Sequence, residues 1–162
     1  MPEFILDIET SGLDPLEHSI SCIGLLDTNS ETLKQFSGPV EEKLLNDFWF
    51  FCNGAKNTFV GYNLIKFDIY FLEIRSLIHK MKIFRLEGTD LIYPLHPNGV
   101  KFHSRADWCK VLGINAGDHD GSLLPQLFLK GEFDLIKKHN EADLRSELEM
   151  LHRLRECNFL RN

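Results

Sequence analysis

Apolar and polar residues alternate through residues 4–10, Phe-Ile-Leu-Asp-Ile-Glu-Thr, which predicts a buried strand ending in two acids. Strand side chains alternate between faces, so Asp7 and Glu9 project on the same side. Residues 19–26 alternate loosely up to the turn cluster Asp27-Thr28-Asn29-Ser30. Residues 31–36 read as a third, more exposed strand closed by Ser37-Gly38-Pro39, and the three predict an antiparallel meander. The period then changes, because Val40, Leu44, Leu45, Phe48, Trp49 and Phe51 recur at helical spacing. Thr58-Phe59-Val60-Gly61 predicts a short buried strand. Asn63 follows in a turn, and a helix over 67–78 carries a core-facing stripe of Phe67, Phe71, Ile74 and Ile78.

Residues 82–86 predict a fifth strand, and Gly88-Thr89-Asp90 a cap for a short helix reaching Leu95, with a loop over 94–99. Ser104 caps a helix running to Leu112, which Gly113 ends. Residues 115–122 form the most polar loop, and helices are predicted over 132–138 and 142–154. No repeat, linker or low-complexity tract interrupts the pattern, so residues 1–162 read as one domain. The predicted fold class is α/β: a mixed five-stranded sheet, an antiparallel meander plus parallel strands, with helices on both faces.

Composition narrows the function classes. No apolar run reaches the length of a membrane span, and no basic segment followed by an apolar one opens the chain, so a cytoplasmic protein with no membrane partner is expected. The four cysteines lie far apart without a CxxC pair, which argues against a zinc knuckle or redox motif. A net charge of -6 counts against a protein that coats long duplexes, since phosphate neutralisation favours basic surfaces. It does not bear on an enzyme that holds a few nucleotides at a metal site, where bound cations cancel several acids.

Asp7 and Glu9 repel one another, and a divalent metal, a nearby Lys or Arg, or simple solvation would each relieve them. Asp68 follows the buried strand and falls in the first turn of a helix, where the dipole favours an acid. Asn63 suits a turn. Asp143 opens the terminal helix, His139 lies four residues before it, about one turn, and Glu147 four residues after it, as a partner or an exposed acid. Each residue alone has an ordinary structural explanation.

Taken in order, Asp7-x-Glu9, Asn63-x-x-x-Phe67-Asp68 and His139-x-x-x-Asp143 resemble the three motifs of the DnaQ-like (DEDD-type) 3'-5' exonucleases. The first stretch, Phe-Ile-Leu-Asp-Ile-Glu-Thr-Ser-Gly-Leu-Asp-Pro, and the second, Gly-Tyr-Asn-Leu-Ile-Lys-Phe-Asp, carry the likeness most closely. From Leu112-Gly113 through Leu124 to Asn140-Glu141-Ala142-Asp143-Leu144 the chain is similar to small stand-alone members related to the polymerase-B exonuclease domain. The resemblance covers nearly the whole chain and implies an RNase H-like fold.

It also implies phosphodiester hydrolysis at the 3' end of single-stranded nucleic acid, DNA favoured, with two Mg²⁺ or Mn²⁺ ions about 3.5–4 Å apart. Asp7 would bridge the ions, Glu9 and Asp143 would complete the hydroxide-generating site, and Asp68 would hold the second ion largely through water. His139 would orient or deprotonate the attacking water. Thr10 and Leu13 would meet the terminal nucleotide, Leu13 as a wedge against a base, and Asn63 would touch the strand or brace the site. Phe67 is a stacking surface or a core residue, and Lys101 and Arg105, in Lys101-Phe102-His103-Ser104-Arg105, a strand-contact patch or a solvated helix entrance. His119, between Asp118 and Asp120, is a polar loop tip or a stray metal site.

One departure stands out. In the family the third motif carries Tyr four residues before its Asp or His five before, whereas here His139 is four before and Lys138 five before. The chain has the spacing of one subtype and the side chain of the other, which leaves the water-activating group open. An exoribonuclease is the alternative enzyme, and a catalytically idle RNase H-like binding module is the alternative from another class. The acidic charge is consistent with homo-oligomerisation or with a protein partner that recruits the domain.

Overall fold

The computed structural model describes residues 1–53, 56–96, 101–117 and 121–160, and in it five strands form one sheet. These are β1 (Glu3–Thr10), β2 (Ile20–Asp27), β3 (Leu33–Ser37), β4 (Thr58–Gly61) and β5 (Glu87–Asp90), in the order β3-β2-β1-β4-β5. β1 pairs antiparallel with β2, and β2 with β3, as the meander predicts. β4 and β5 run parallel to β1 and to each other. Parallel neighbours require crossovers. The helix α1 (Glu41–Cys52) supplies the first, and a π-helical turn (Ile65–Ile69) running into α2 (Tyr70–Ile78) begins the second.

Alternation along β1 sorts its side chains between two cores. Leu6 and Ile8 pack with Ile23, Leu25, Phe48, Phe59 and Phe71 under α1 and α2. Ile5 packs with Leu26, Val60, Cys109, Leu144, Leu148 and Leu151 on the other face. That face is covered by α4 (Arg105–Leu112) and the long α6 (Phe133–Glu156). Asp7 and Glu9 share the parity of Ile5, so both point toward α6.

The strand predicted over 82–86 does not form. Phe84 and Leu86 of that run pack against the α1/α2 core from irregular chain. The edge strand is instead Glu87–Asp90, whose mostly exposed, small and polar side chains carry no strand pattern and whose pairing with β4 is a backbone affair. Asp90 therefore ends a strand, yet its Oδ1 still accepts from Ile92 N at 3.0 Å at the start of the short α3 (Ile92–Leu95). Pro94 lies in that helix, and residues 97–99 of the predicted loop lie outside the described residues.

The two C-terminal helices are one continuous α6, so Asp143 sits in mid-helix and not at a start. The polar run Lys137-Lys138-His139-Asn140-Glu141 hides the continuity, because His139 and Asn140 take up core-facing positions that apolar residues would otherwise mark. A further helix, α5 (Leu124–Lys130), begins with proline in its first turn and ends at Gly131 in the left-handed region, φ 71°. Ser104 and Gly113 bound α4 as predicted, through a capping box with Asp107 and a left-handed C-cap. Ile78 ends the α2 stripe exposed and not buried. Asp118, His119 and Asp120 of the polar loop lie outside the described residues.

Candidate metal centre

The site lies where the C-terminal half of β1 meets the middle of α6. Residues 139, 140, 143, 144, 147 and 148 all face the sheet, since helical neighbours three and four apart share a face. The close approach depends on Gly24, which pairs with Asp7 across β1 and β2. A Cβ on Gly24 would stand 1.9 Å from Asn140 Oδ1 and 2.7 Å from Leu144 Cδ1, so a larger residue would push the Asn140 and Leu144 side chains of α6 out of these positions. Asn140 uses the room at Gly24 to donate from Nδ2 to Asp7 Oδ2 at 2.8 Å and to Asp7 O at 3.1 Å. Its own Oδ1 accepts from Gln35 Nε2 at 2.9 Å, which fixes the amide's orientation.

Asp68 arrives from the π-helical turn after β4, buried at 4% exposure, and its Oδ1 accepts from Ile8 N at 3.0 Å. That bond ties the second motif to the first, between the two acids of β1. The turn is itself braced by Asp90, which accepts from Asn63 N at 2.9 Å and Ile65 N at 3.0 Å and holds Asn63 at φ 61°. One ligand atom each of His139 and Asp143, from α6, and of Glu9, from β1, lie within 4.8 Å of one another. His139 Nε2 is 3.9 Å from Asp143 Oδ2.

Glu147, one turn beyond Asp143, is a fifth acid of the group, 2% exposed, and its Oε2 accepts from Tyr62 N at 3.2 Å. Against these acids stands Arg105 from α4. Its Nη2 is 2.6 Å from Asp143 Oδ2, its Nε 3.9 Å from Glu147 Oε1, and its Nη1 donates to Ser146 Oγ at 2.6 Å.

Electrostatics mark the cluster as short of positive charge. Burial and then the charge of Asp143 raise Asp7 to about 7, with Arg105 and Asn140 pulling the other way. Glu9 lies well above the usual carboxylate range through burial, then Asp7 and Asp143. Asp68 and Glu147 are likewise pushed well up, each by burial and then by Asp7. Glu9 Oε1 is buried and, among the described residues, has no hydrogen-bond partner. An orphaned buried carboxylate oxygen inside a ring of acids is what a hard cation would satisfy, so the donor set fits a divalent metal.

The remaining predicted residues divide. Leu13 stands 82% exposed on the loop after β1, whereas the Thr10 hydroxyl is spent within that loop on Gly12 O, at 2.7 Å. Phe67 packs partly buried against the core with its ring 5.6 Å from Phe71. Lys101 and Phe102 are exposed, but Arg105 turns inward, so the run does not form one exposed basic patch. The sequence assigns Asn140 no role in the site and leaves Glu147 a partner or an exposed acid. The signal for both was their spacing from Asp143 on a single helix.

A sequence model of the RNase_H superfamily matches residues 4–155. The chain belongs to the RNase_H superfamily. The uncharacterized protein MJ0365 of Methanocaldococcus jannaschii is 33% identical, over 99% of each chain. The solved structure of product-bound exonuclease I shares the fold with a TM-score of 0.67 at 14% identity, over 96% of this chain and 43% of that one. Escherichia coli exonuclease I with a dT13 oligonucleotide gives 0.64 at 14% identity, over 94% and 40%. Its zinc-bound form with single-stranded DNA gives 0.65 at 15%, over 96% and 40%. At such identities the likeness is one of fold, the mixed sheet of the RNase_H superfamily, and the chain spans about two-fifths of those structures' length. Among the described residues no helix is long and apolar enough to cross a membrane.

Proposed function

We propose that this chain is a single-domain, cytoplasmic 3'-5' exonuclease that hydrolyses phosphodiester bonds at the end of single-stranded nucleic acid, DNA favoured, with Mg²⁺ or Mn²⁺. The observation that carries the reading is the buried Glu9 Oε1, without a hydrogen-bond partner among the described residues, beside His139 and Asp143 and with Asp7 and Asp68 close enough to push the Glu9 carboxyl up. Two further points support it: the three motifs occur in order, and fold relatives are exonuclease I structures with bound product or DNA.

Asp7, Glu9 and Asp143 would hold one ion, and Asp7 with Asp68 the other. Such ions supply charge stabilisation for the attacking and leaving oxygens of an in-line displacement. Asn140 keeps Asp7 Oδ2 in place, and the Ile8 amide does the same for Asp68. His139, one helical turn from Asp143, takes the proton of the attacking water, a task for which imidazole is suited near neutral pH. Leu13 provides the apolar wedge at the terminal base, with Lys101 and Asn63 along the strand.

End-labelled oligonucleotides test polarity and substrate together. With Mn²⁺, single-stranded DNA labelled at its 5' end should give a ladder of progressively shorter labelled products. Release of the label as a mononucleotide would reverse the polarity. Faster shortening of RNA than of DNA would make the exoribonuclease the better reading, and intact DNA and RNA alongside binding would favour the idle module.

A further inference from the structure

Arg105 is the cation that the acid cluster meets in the protein itself. It comes from the first turn of α4, reaches across to α6, and is only 21% exposed. Its contacts are graded. Nη2 holds Asp143 Oδ2 at 2.6 Å, Nη1 holds Ser146 Oγ at 2.6 Å and Asp143 O at 3.4 Å, and Nε stands off from Glu147 Oε1 at 3.9 Å. Among the described residues it is the one Lys or Arg within 4 Å of these carboxylates.

Resting on the metal centre proposed above, we infer that Arg105 is an exchangeable counter-cation. It neutralises Asp143 while no divalent ion is bound, and passes to Glu147 when an ion takes that carboxylate. Asp143 Oδ2 faces both the guanidinium and His139 Nε2, so an ion held by Asp7, Glu9 and Asp143 competes for the oxygen Arg105 now holds. A divalent ion and a guanidinium sharing one carboxylate oxygen in a partly buried setting would repel one another, which drives Arg105 away from that oxygen.

A displaced guanidinium needs a second partner, because an unpaired buried charge is costly. Glu147 Oε1 is that partner, one turn further along α6. Its other oxygen is tied to Tyr62 N and Ser146 Oγ serves as the pivot. This accounts for a fifth buried acid beyond the four that the motifs require: Glu147 stores a place for Arg105.

Calorimetric titration of Mn²⁺ into the metal-free protein tests this without reference to turnover. R105Q should bind Mn²⁺ at least about tenfold more tightly than the wild type. E147Q, which removes the fallback, should bind it at least about threefold more weakly, and that penalty should vanish in R105Q/E147Q. An unchanged or weaker affinity in R105Q overturns the exchange. A penalty that persists in the double variant also overturns it, since Glu147 would then act on the metal directly. The wild type provides a check that does not depend on variants folding. Its Arg105 Nε–H nuclear magnetic resonance signal, assigned by its loss in R105K, should shift on saturation with Mg²⁺, and an unmoved signal overturns the exchange. If neither the wild type nor R105Q binds Mn²⁺, the metal centre itself falls and this inference with it. Binding by the wild type with R105Q unchanged removes the exchange alone.

Discussion

Asp7→Asn should lower hydrolysis at least about a thousandfold while making the metal-free protein more stable above pH 7. The two effects share one cause. Asp7 is the acid through which the others are coupled, contributing to the raised values of Glu9, Asp68 and Glu147. As the proposed shared ligand it helps hold ions that supply several kcal/mol of transition-state stabilisation, and about 4 kcal/mol corresponds to a thousandfold. Without an ion, the same carboxylate is a burden.

The sign of the pH effect follows from linkage. Asp7 is raised to about 7 by burial and then by Asp143, so between roughly pH 4 and pH 7 the folded protein keeps a proton that the unfolded chain has released. Its stabilising contribution is complete below the lower value and is lost as pH rises through the upper one. Above that, ionised Asp7 costs the fold on the order of a few kcal/mol. Asparagine has no such charge and can still accept from Asn140. Melting in EDTA should therefore favour the variant most at pH 8, by clearly less at pH 5, and least below pH 4. A variant less stable than the wild type at pH 8 would count against a charge-strained site.

His139→Ala should cut turnover by about a hundredfold to ten-thousandfold, the usual range for a general base, with Mn²⁺ affinity changed only a few-fold. The continuity of α6 gives this its structural basis. On an unbroken helix the residue four before Asp143 lies on the same face, so His139 is buried beside the acids while Lys138, five before, is exposed. The four-residue spacing therefore suffices to aim an imidazole at the site. Single-turnover rates set beside calorimetric affinities separate the two quantities. An unchanged rate would take His139 out of the chemistry, and recovery of activity in His139→Tyr would assign it to the tyrosine slot of the family's third motif.

Much of the fold was written in local patterns. β1, β2, β4, α1 and α4 show clear periodicity or capping, and each forms within a residue or two of its expected bounds. What escaped was set by tertiary context. β5 is held by backbone pairing that three exposed residues and a buried Asp90 do not announce. α6 looked broken because its core-facing stripe turns polar at the site. Strand parity put Asp7 and Glu9 on one face, but Asp68 and Asp143 joined them only through the likeness of the three motifs, in order, to those of the exonuclease family. Asn140, Glu147 and the inward turn of Arg105 were not legible, since each matters only once α6 lies over Gly24 and β1.

The most direct test of a metal-dependent nuclease centre at Asp7, Glu9, Asp68 and Asp143 is one Mn²⁺ titration read in two ways. Binding is followed by calorimetry and shortening of a 5'-labelled single-stranded oligonucleotide in the same buffer. The account predicts that both rise over the same Mn²⁺ range and that both disappear in EDTA. Hydrolysis that survives chelation, or a folded, Mn²⁺-saturated protein that leaves both DNA and RNA intact, would contradict it.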